Sequence, residues 1–282
     1  MKRRTFLKNA IVAGVASNLL PVKNLFAADQ GFPDLVIAKG HAPSVLLQLS
    51  LKAIGGLSQF EIKGKRVLIK PTIQWNTRPL EGKNTDPNLI YHLIRHCYDA
   101  GAWEVYILDH TIDDWRLCYM NSGIEKASKE AFGKIVPANE PHLYKNDKAG
   151  FLVHRLVHKC DLIINVPKLN DDPAAGLFGA LKNLQGLTWE NGNFDAVQKD
   201  NKLIALLKDI KPVLTVMDAF GTKTSEKEEG TLICGRNSLA VDVTACKLFD
   251  KDPSSVSYLK LATEMGEGEL NSANLIIQKI YT

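Results

Sequence analysis

Three short runs of the chain are apolar almost throughout and end in polar residues, and no other feature limits the fold as much. They are Val67-Leu68-Ile69-Lys70-Pro71, Asp161-Leu162-Ile163-Ile164-Asn165-Val166-Pro167 and Lys211-Pro212-Val213-Leu214-Thr215-Val216-Met217-Asp218. A strand with one face in water alternates polar and apolar residues, whereas a strand covered on both faces reads as a continuous apolar run. The runs therefore predict buried strands of a parallel sheet layered between helices.

The sequence between the runs supplies the helices. Thr85-Asp86-Pro87 sets a capping acceptor before a proline at the first helical position, and Leu89, Ile90, Leu93, Ile94 and Cys97 then share one face as far as Gly101. Glu104 to Asp109, with Val105, Ile107 and Leu108 apolar, reads as the next strand, which makes Val67 to Asp109 a βαβ unit. Leu203 to Ile210 reads as a short helix and Ser122 to Phe132 as a longer one. Ser238 to Phe249 is a helix with Ala240, Val241, Val243, Ala245 and Leu248 inward, and Thr222 to Gly230 is a charged loop. The expected class is α/β, a mostly parallel sheet with helices on both faces in Rossmann-like layering.

The first residues belong to a different kind of segment. Lys2-Arg3-Arg4-Thr5-Phe6-Leu7-Lys8, the apolar run Ala10 to Leu20, then Pro21 and the small residues Ala27 and Ala28 follow the pattern of a twin-arginine signal peptide. The run falls short of the ~20 apolar residues that span a bilayer. Residues 1–28 are thus expected to be a leader, cleaved or kept as an anchor, and residues 29–282 a single α/β domain in the periplasm or outside the cell. Contact with the membrane is expected only through the export machinery. The formal charge of +4 includes Lys2, Arg3, Arg4, Lys8 and Lys23, with no acid among residues 1–26. The remainder is near neutral, which argues against a nucleic-acid partner. Cys97, Cys118, Cys160, Cys234 and Cys246 include no C-x-x-C pair, so no iron-sulfur cluster or zinc ribbon is expected in this chain. Cys97 and Cys246 lie on apolar helical faces and read as buried free thiols.

In open parallel sheets ligands bind beyond the carboxyl ends of the strands. Those ends carry Lys70, Asp109, Asn165, Lys168 and Asp218, and the most polar stretch follows them, Asn165 to Asp172, then Gly176 and Gly179-Ala180-Leu181-Lys182-Asn183-Leu184-Gln185-Gly186. Lys70, Asn165, Lys168, Lys182 and Asn183 are the candidate ligand-binding residues, two of the lysines acting as point charges for a carboxylate or phosphate beside glycines that let backbone N–H groups approach. Set against this, Lys168 is a solvated strand-end charge and Lys182 a helix surface residue. Asp109, Asp218 and Asp242 are the candidate catalytic residues, by metal ligation or proton transfer. Asp242 lies among apolar helix residues and needs a partner there, either Lys182 or a backbone N–H. Asp113 and Asp114 extend the acidic group near Asp109 and read equally as a solvated loop. His92 with His96, and His154 with His158, have metal-pair spacing but no H-E-x-x-H setting, and read as packing or surface residues. Nucleophile-elbow, Walker and G-x-G-x-x-G patterns are missing.

Taken in order, Ile69-Lys70-Pro71, Thr85-Asp86-Pro87, Ala100-Gly101-Ala102, Asp109, Asp161 to Leu169, Gly179 to Gly186, Asp218-Ala219, Ala240-Val241-Asp242 and Gly266-Glu267-Gly268 resemble the prokaryotic family known as domain of unknown function 362. Many of its members are fused to ferredoxin-like iron-sulfur modules, so on this resemblance a redox association would need a separate partner protein. The family loop carries a second lysine and a histidine where this chain has Asn170 and Asp172. A more distant likeness in organisation to nickel-dependent lactate racemase has no residue motif behind it here. The expected role is an exported enzyme-like or binding protein for a small anionic molecule. The alternatives are an accessory subunit of a periplasmic redox system and a non-catalytic binding protein; cofactor and metal are left open.

Overall fold

A computed structural model describes residues 31–146, 151–172, 176–189, 196–221 and 229–282. The expected leader, residues 1–28, lies outside the described residues, as do residues 222–228 of the charged loop. In chain order the elements are β1 (Leu35–Gly40), α1 (Pro43–Ala53), β2 (Arg66–Pro71), α2 (Pro87–Asp99), β3 (Glu104–Ile107), α3 (Trp115–Asn121), α4 (Ile124–Glu130), β4 (Lys134–Ile135), β5 (Tyr144–Asn146) and β6 (Leu152–His154). They continue with β7 (Leu162–Val166), α5 (Ala180–Asn183), β8 (Thr188–Trp189), α6 (Ala196–Asp209), β9 (Leu214–Asp218), β10 (Gly230–Gly235), α7 (Ser238–Cys246), α8 (Ser257–Glu264) and β11 (Ile277–Tyr281).

Eight strands form the main sheet in the order β11-β1-β10-β9-β7-β2-β3-β4. Pairing is parallel except where β10 runs antiparallel to both β1 and β9. The sheet is therefore mostly parallel, with one reversed strand inserted near its middle. A small antiparallel sheet, β5-β6-β8, accompanies it.

Side chains alternate across each strand, and both faces of the central strands are covered. Leu68, Ile163, Met217 and Ile233 pack with residues of α5, α6, α7 and α8, while Val67, Ile69, Ile164 and Val216 pack on the other face with residues of α1, α2, α3 and α4. This two-sided burial is why the three runs carry no polar alternation. Asp86 caps α2 as expected, its carboxylate accepting from Asn88 N–H.

Several boundaries differ from the sequence reading. The helix expected over Ser122 to Phe132 is α4, Ile124–Glu130, and a separate helix, α3, precedes it; the two are divided at Gly123, whose φ of 76° is left-handed and breaks the helical run. Helix α6 starts at Ala196, ahead of Leu203, and α7 ends at Cys246 with a 3₁₀ turn completing the segment to Phe249. Strands β1, β10 and β11 and helix α1 had no counterpart in the sequence reading. All five cysteines are free, and Cys97, Cys118, Cys234 and Cys246 are buried.

Candidate functional site

Lys70 is two residues beyond Leu68 on β2, so its side chain enters the same face of the sheet, the one covered by α5 to α8. It is only 1% exposed. A buried ammonium costs several kcal/mol unless it is matched by an opposite charge and by acceptors, and here it has one opposite charge and two hydrogen-bond acceptors. Lys70 Nζ lies 2.7 Å from Asp109 Oδ1 and donates to Pro71 O at 2.7 Å and to Asn183 Oδ1 at 2.9 Å. Asp109, fully buried, takes Ile73 N–H on its other oxygen at 2.6 Å. Burial pushes the Lys70 ammonium down and the Asp109 carboxyl up from their ordinary values, and the attraction between them opposes both shifts.

Asn183, the last residue of α5, ties this pair to the rest of the sheet. Its carbonyl oxygen accepts from Lys70 Nζ and from Thr72 Oγ1, each at 2.9 Å. Its amide donates to Asn165 Oδ1 at 2.8 Å and to Lys70 O at 3.1 Å. Asn165, paired in register with Lys70 across β2 and β7, donates in turn to Ala180 O at 2.8 Å. The Asn183 side chain thus uses all four of its hydrogen-bonding positions. Gly186 follows in the turn after α5, and a methyl group there would come within 2.0 Å of Asp109 Oδ1 and 3.0 Å of Lys70 Nζ. The glycine is required because the backbone presses directly on the ion pair.

A second pair stands at the ends of β7 and β9. Lys168, 3% exposed, reaches Asp218 Oδ1 at 3.0 Å and Phe220 O at 2.5 Å, while its backbone N–H donates to Thr72 Oγ1 at 2.9 Å. Asp218 also accepts from Phe220 N–H at 2.9 Å and from Asp86 N–H at 2.8 Å. Asp86 consequently sits close to a second carboxylate, and burial together with Asp218 raises its pKa. An ammonium carries three N–H groups, and among the described residues that of Lys168 finds two acceptors.

Asp242, projecting from α7 and fully buried, accepts from Ala180 N–H and, at 3.0 Å, from Leu181 N–H, so it caps the one-turn helix α5 from a distant part of the chain. Of the two partners considered for it, the backbone is the one found. Burial raises its pKa to about 7 despite those two donors. Gly179 is again a matter of space, since a methyl group there would stand 2.2 Å from Asp242 Oδ1. Lys182 does not join this group; it pairs with Asp172 Oδ2 at 3.3 Å and lies 5.6 Å from the Tyr258 ring.

The structure thus brings Lys70, Asp109, Asn165 and Asn183 into one network and, through Thr72, joins it to Lys168 and Asp218, with Asp242 anchoring the same short helix and Lys182 outside. Thr72, Thr85 and Tyr119 were missed in the sequence. Thr85 accepts from Thr72 N–H and donates to Val166 O, each at 2.8 Å, and Tyr119 Oη accepts from Asp109 N–H at 2.8 Å. Only the place of Thr72, directly after a strand-ending proline, signalled it. Asp113 accepts from Asn76 N–H, 37 residues away, and Asp114 caps α3 by accepting from Leu117 N–H. His154 is buried in β6, its pKa pushed down to about 4 by burial, with Nδ1 accepting from Leu156 N–H.

Among the described residues no group of three or more His, Cys, Asp or Glu side chains is arranged to hold a metal ion. Asp109, Asp218 and Asp242 spend their oxygens on an ammonium or on backbone N–H groups instead. A nickel centre therefore does not fit this donor set.

Comparison with known proteins agrees on the fold. A family model described as Domain of unknown function (DUF362) matches residues 67–247. A thylakoid-associated protein of Synechocystis sp. is 23% identical over 238 residues, covering 78% of this chain and 74% of its own. Among solved structures, the lactate racemase apoprotein from Thermoanaerobacterium thermosaccharolyticum is similar over 80% of this chain with a TM-score of 0.51 at 15% identity, a likeness of fold. This chain spans 58% of the racemase chain.

Two stability measurements check the network. Lys70→Met orphans the Asp109 carboxylate and is expected to lose ~3–5 kcal/mol in urea unfolding, whereas Lys70→Met/Asp109→Leu recovers much of that loss; additive losses in the double variant would contradict the pairing. Asp242 keeps its proton to about pH 7 when folded but ionises near 3.8 when unfolded, so the unfolded state binds fewer protons between those values. Stability therefore falls as pH rises through that window, by up to ~4 kcal/mol. Unfolding midpoints at about pH 4.5 and about pH 7.5 should differ less in Asp242→Asn than in the wild type, and an unchanged difference would contradict the assignment.

Proposed function

The chain belongs to the DUF362 family, and on that premise we propose that it binds a small anionic molecule, a carboxylate or phosphate, beyond the carboxyl ends of β7 and β9. The observation that carries this reading is the Lys168 ammonium, 3% exposed and with acceptors for two of its three N–H groups among the described residues. A buried cation with a donor to spare favours an anion over water, because charge-assisted hydrogen bonds strengthen away from solvent. The position supports it as well, since ligands of open parallel sheets sit outside the carboxyl ends of the strands.

Lys70 takes a different part. It is ion-paired with Asp109 and donates to Asn183 and Pro71, so it acts as the fixed base of the site, holding Asn183 and, through Thr72, the backbone of Lys168. Lys182 stands at one side with Asp172. The fold likeness to a lactate racemase makes small carboxylates such as lactate the first candidates. Export through the twin-arginine pathway, directed by residues 1–28, is part of the same proposal and would put the site in the periplasm or outside the cell.

Calorimetric titration with the carboxylates lactate and acetate is the test. Binding is expected for the wild-type chain and lost in Lys168→Met. Because that change orphans Asp218, Lys168→Met/Asp218→Leu is the folded companion, and a folded companion that still binds would overturn the proposal. For export, Arg3→Lys/Arg4→Lys should hold the protein in the cytoplasm on cell fractionation, and an unchanged distribution would exclude the pathway.

A further inference from the structure

At the opposite end of the same strands lies a cavity of about 580 Å³, lined by Arg66, Tyr106, Leu156, His158 and Lys159. Arg66 opens β2, and Lys159 lies three residues before the start of β7, so the cavity is roughly 13 Å from Lys70 along the strand. It belongs to neither the Lys70 nor the Lys168 network.

Its lining is chemically one-sided. Arg66, His158 and Lys159 are basic, Tyr106 offers a phenol edge, Leu156 is an apolar wall, and no carboxylate takes part. His158 and Lys159 are exposed, and the Lys159 ammonium has no ion-pair partner among the described residues. Two acids stand nearby: Asp161 accepts the Arg66 backbone N–H at 2.8 Å, and Glu104 is engaged by Arg66 Nε at 3.2 Å, Tyr106 Oη at 2.6 Å, and Lys134 Nζ on its other oxygen. Those donors pull its pKa to about 2. Glu104 therefore fixes Arg66 and Tyr106 from behind, and Trp103 supports the guanidinium at 4.4 Å from its ring centre. An arginine held on its Nε edge keeps its terminal N–H groups for an oxyanion, the geometry suited to phosphate.

We infer that this cavity is a second binding site, for a small phosphorylated molecule whose phosphate meets Arg66, His158 and Lys159 and whose body rests on Tyr106 and Leu156. The volume is in the ordinary range for small-molecule sites.

The test uses the full chain with phenyl phosphate and inorganic phosphate as probes, by calorimetry. Phenyl phosphate is expected to bind more tightly than inorganic phosphate. His158→Ala/Lys159→Ala, both exposed positions whose loss leaves the core intact, should weaken it at least roughly tenfold. In Lys168→Met/Asp218→Leu the binding component that depends on His158 and Lys159 should persist, which separates this site from the one at the carboxyl ends. The inference is overturned if phenyl phosphate does not bind at millimolar concentration, if the His158/Lys159 variant binds it as the wild type does, or if the Lys168/Asp218 variant alone abolishes it.

Discussion

A parallel sheet sends the carboxyl ends of its strands into the region where the crossover segments turn back, and a cation placed there must be matched before the chain can close over it. Lys70 is that cation. Its ammonium is sealed by Asp109 from the loop after β3, by Asn183 from α5 and by its own neighbour Pro71, so three separate stretches of sequence must arrive together for any of them to be satisfied. Leaving one out would cost several kcal/mol, a large share of the 5–15 kcal/mol that usually holds a domain together. The short helix α5 has too few residues to stabilise itself. It is held by Asp242 on its first amides and by Asn183 on its last side chain.

The same constraint explains a motif that otherwise reads as a ligand loop. In Gly179 to Gly186 the glycines are needed because carboxylates stand where side chains would go, Asp242 against the first and Asp109 against the last. Asn183 between them is fully engaged within the protein. Asn165, Lys70 and Asp109 are likewise turned inward, which leaves Lys168 as the strand-end group with a donor still to offer among the described residues.

Much of the architecture was legible because burial on both faces leaves a strong trace. The runs at Val67, Asp161 and Lys211 became β2, β7 and β9, and the Asp86-Pro87 cap opened α2 where expected. Strand β10 was harder to see, since Gly230–Gly235 is short, bounded by glycines and preceded by a charged segment, and nothing local records that it runs antiparallel between β1 and β9. The split of α3 from α4 hinged on one glycine with positive φ. In the site, residue types at strand ends showed which groups would gather. They did not show that each acid would be claimed by a lysine or a backbone amide, because, apart from the Phe220 amide on Asp218, those partners lie from 36 to 132 residues away. Lys182, grouped with the others in the sequence, pairs with Asp172 instead.

The central claim is that this polar network is a rigid part of the core, formed once and opened only when the whole domain unfolds. Native-state hydrogen exchange measures it directly at the amides of Ile73, Asp86, Lys168, Ala180 and Leu181, whose acceptors are Asp109, Asp218, Thr72 and Asp242. The account predicts that they exchange with the same opening free energy as the amides of β2 and β7, the signature of global unfolding. Exchange of these five through a local opening of lower free energy, while the strand amides stay protected, would contradict it.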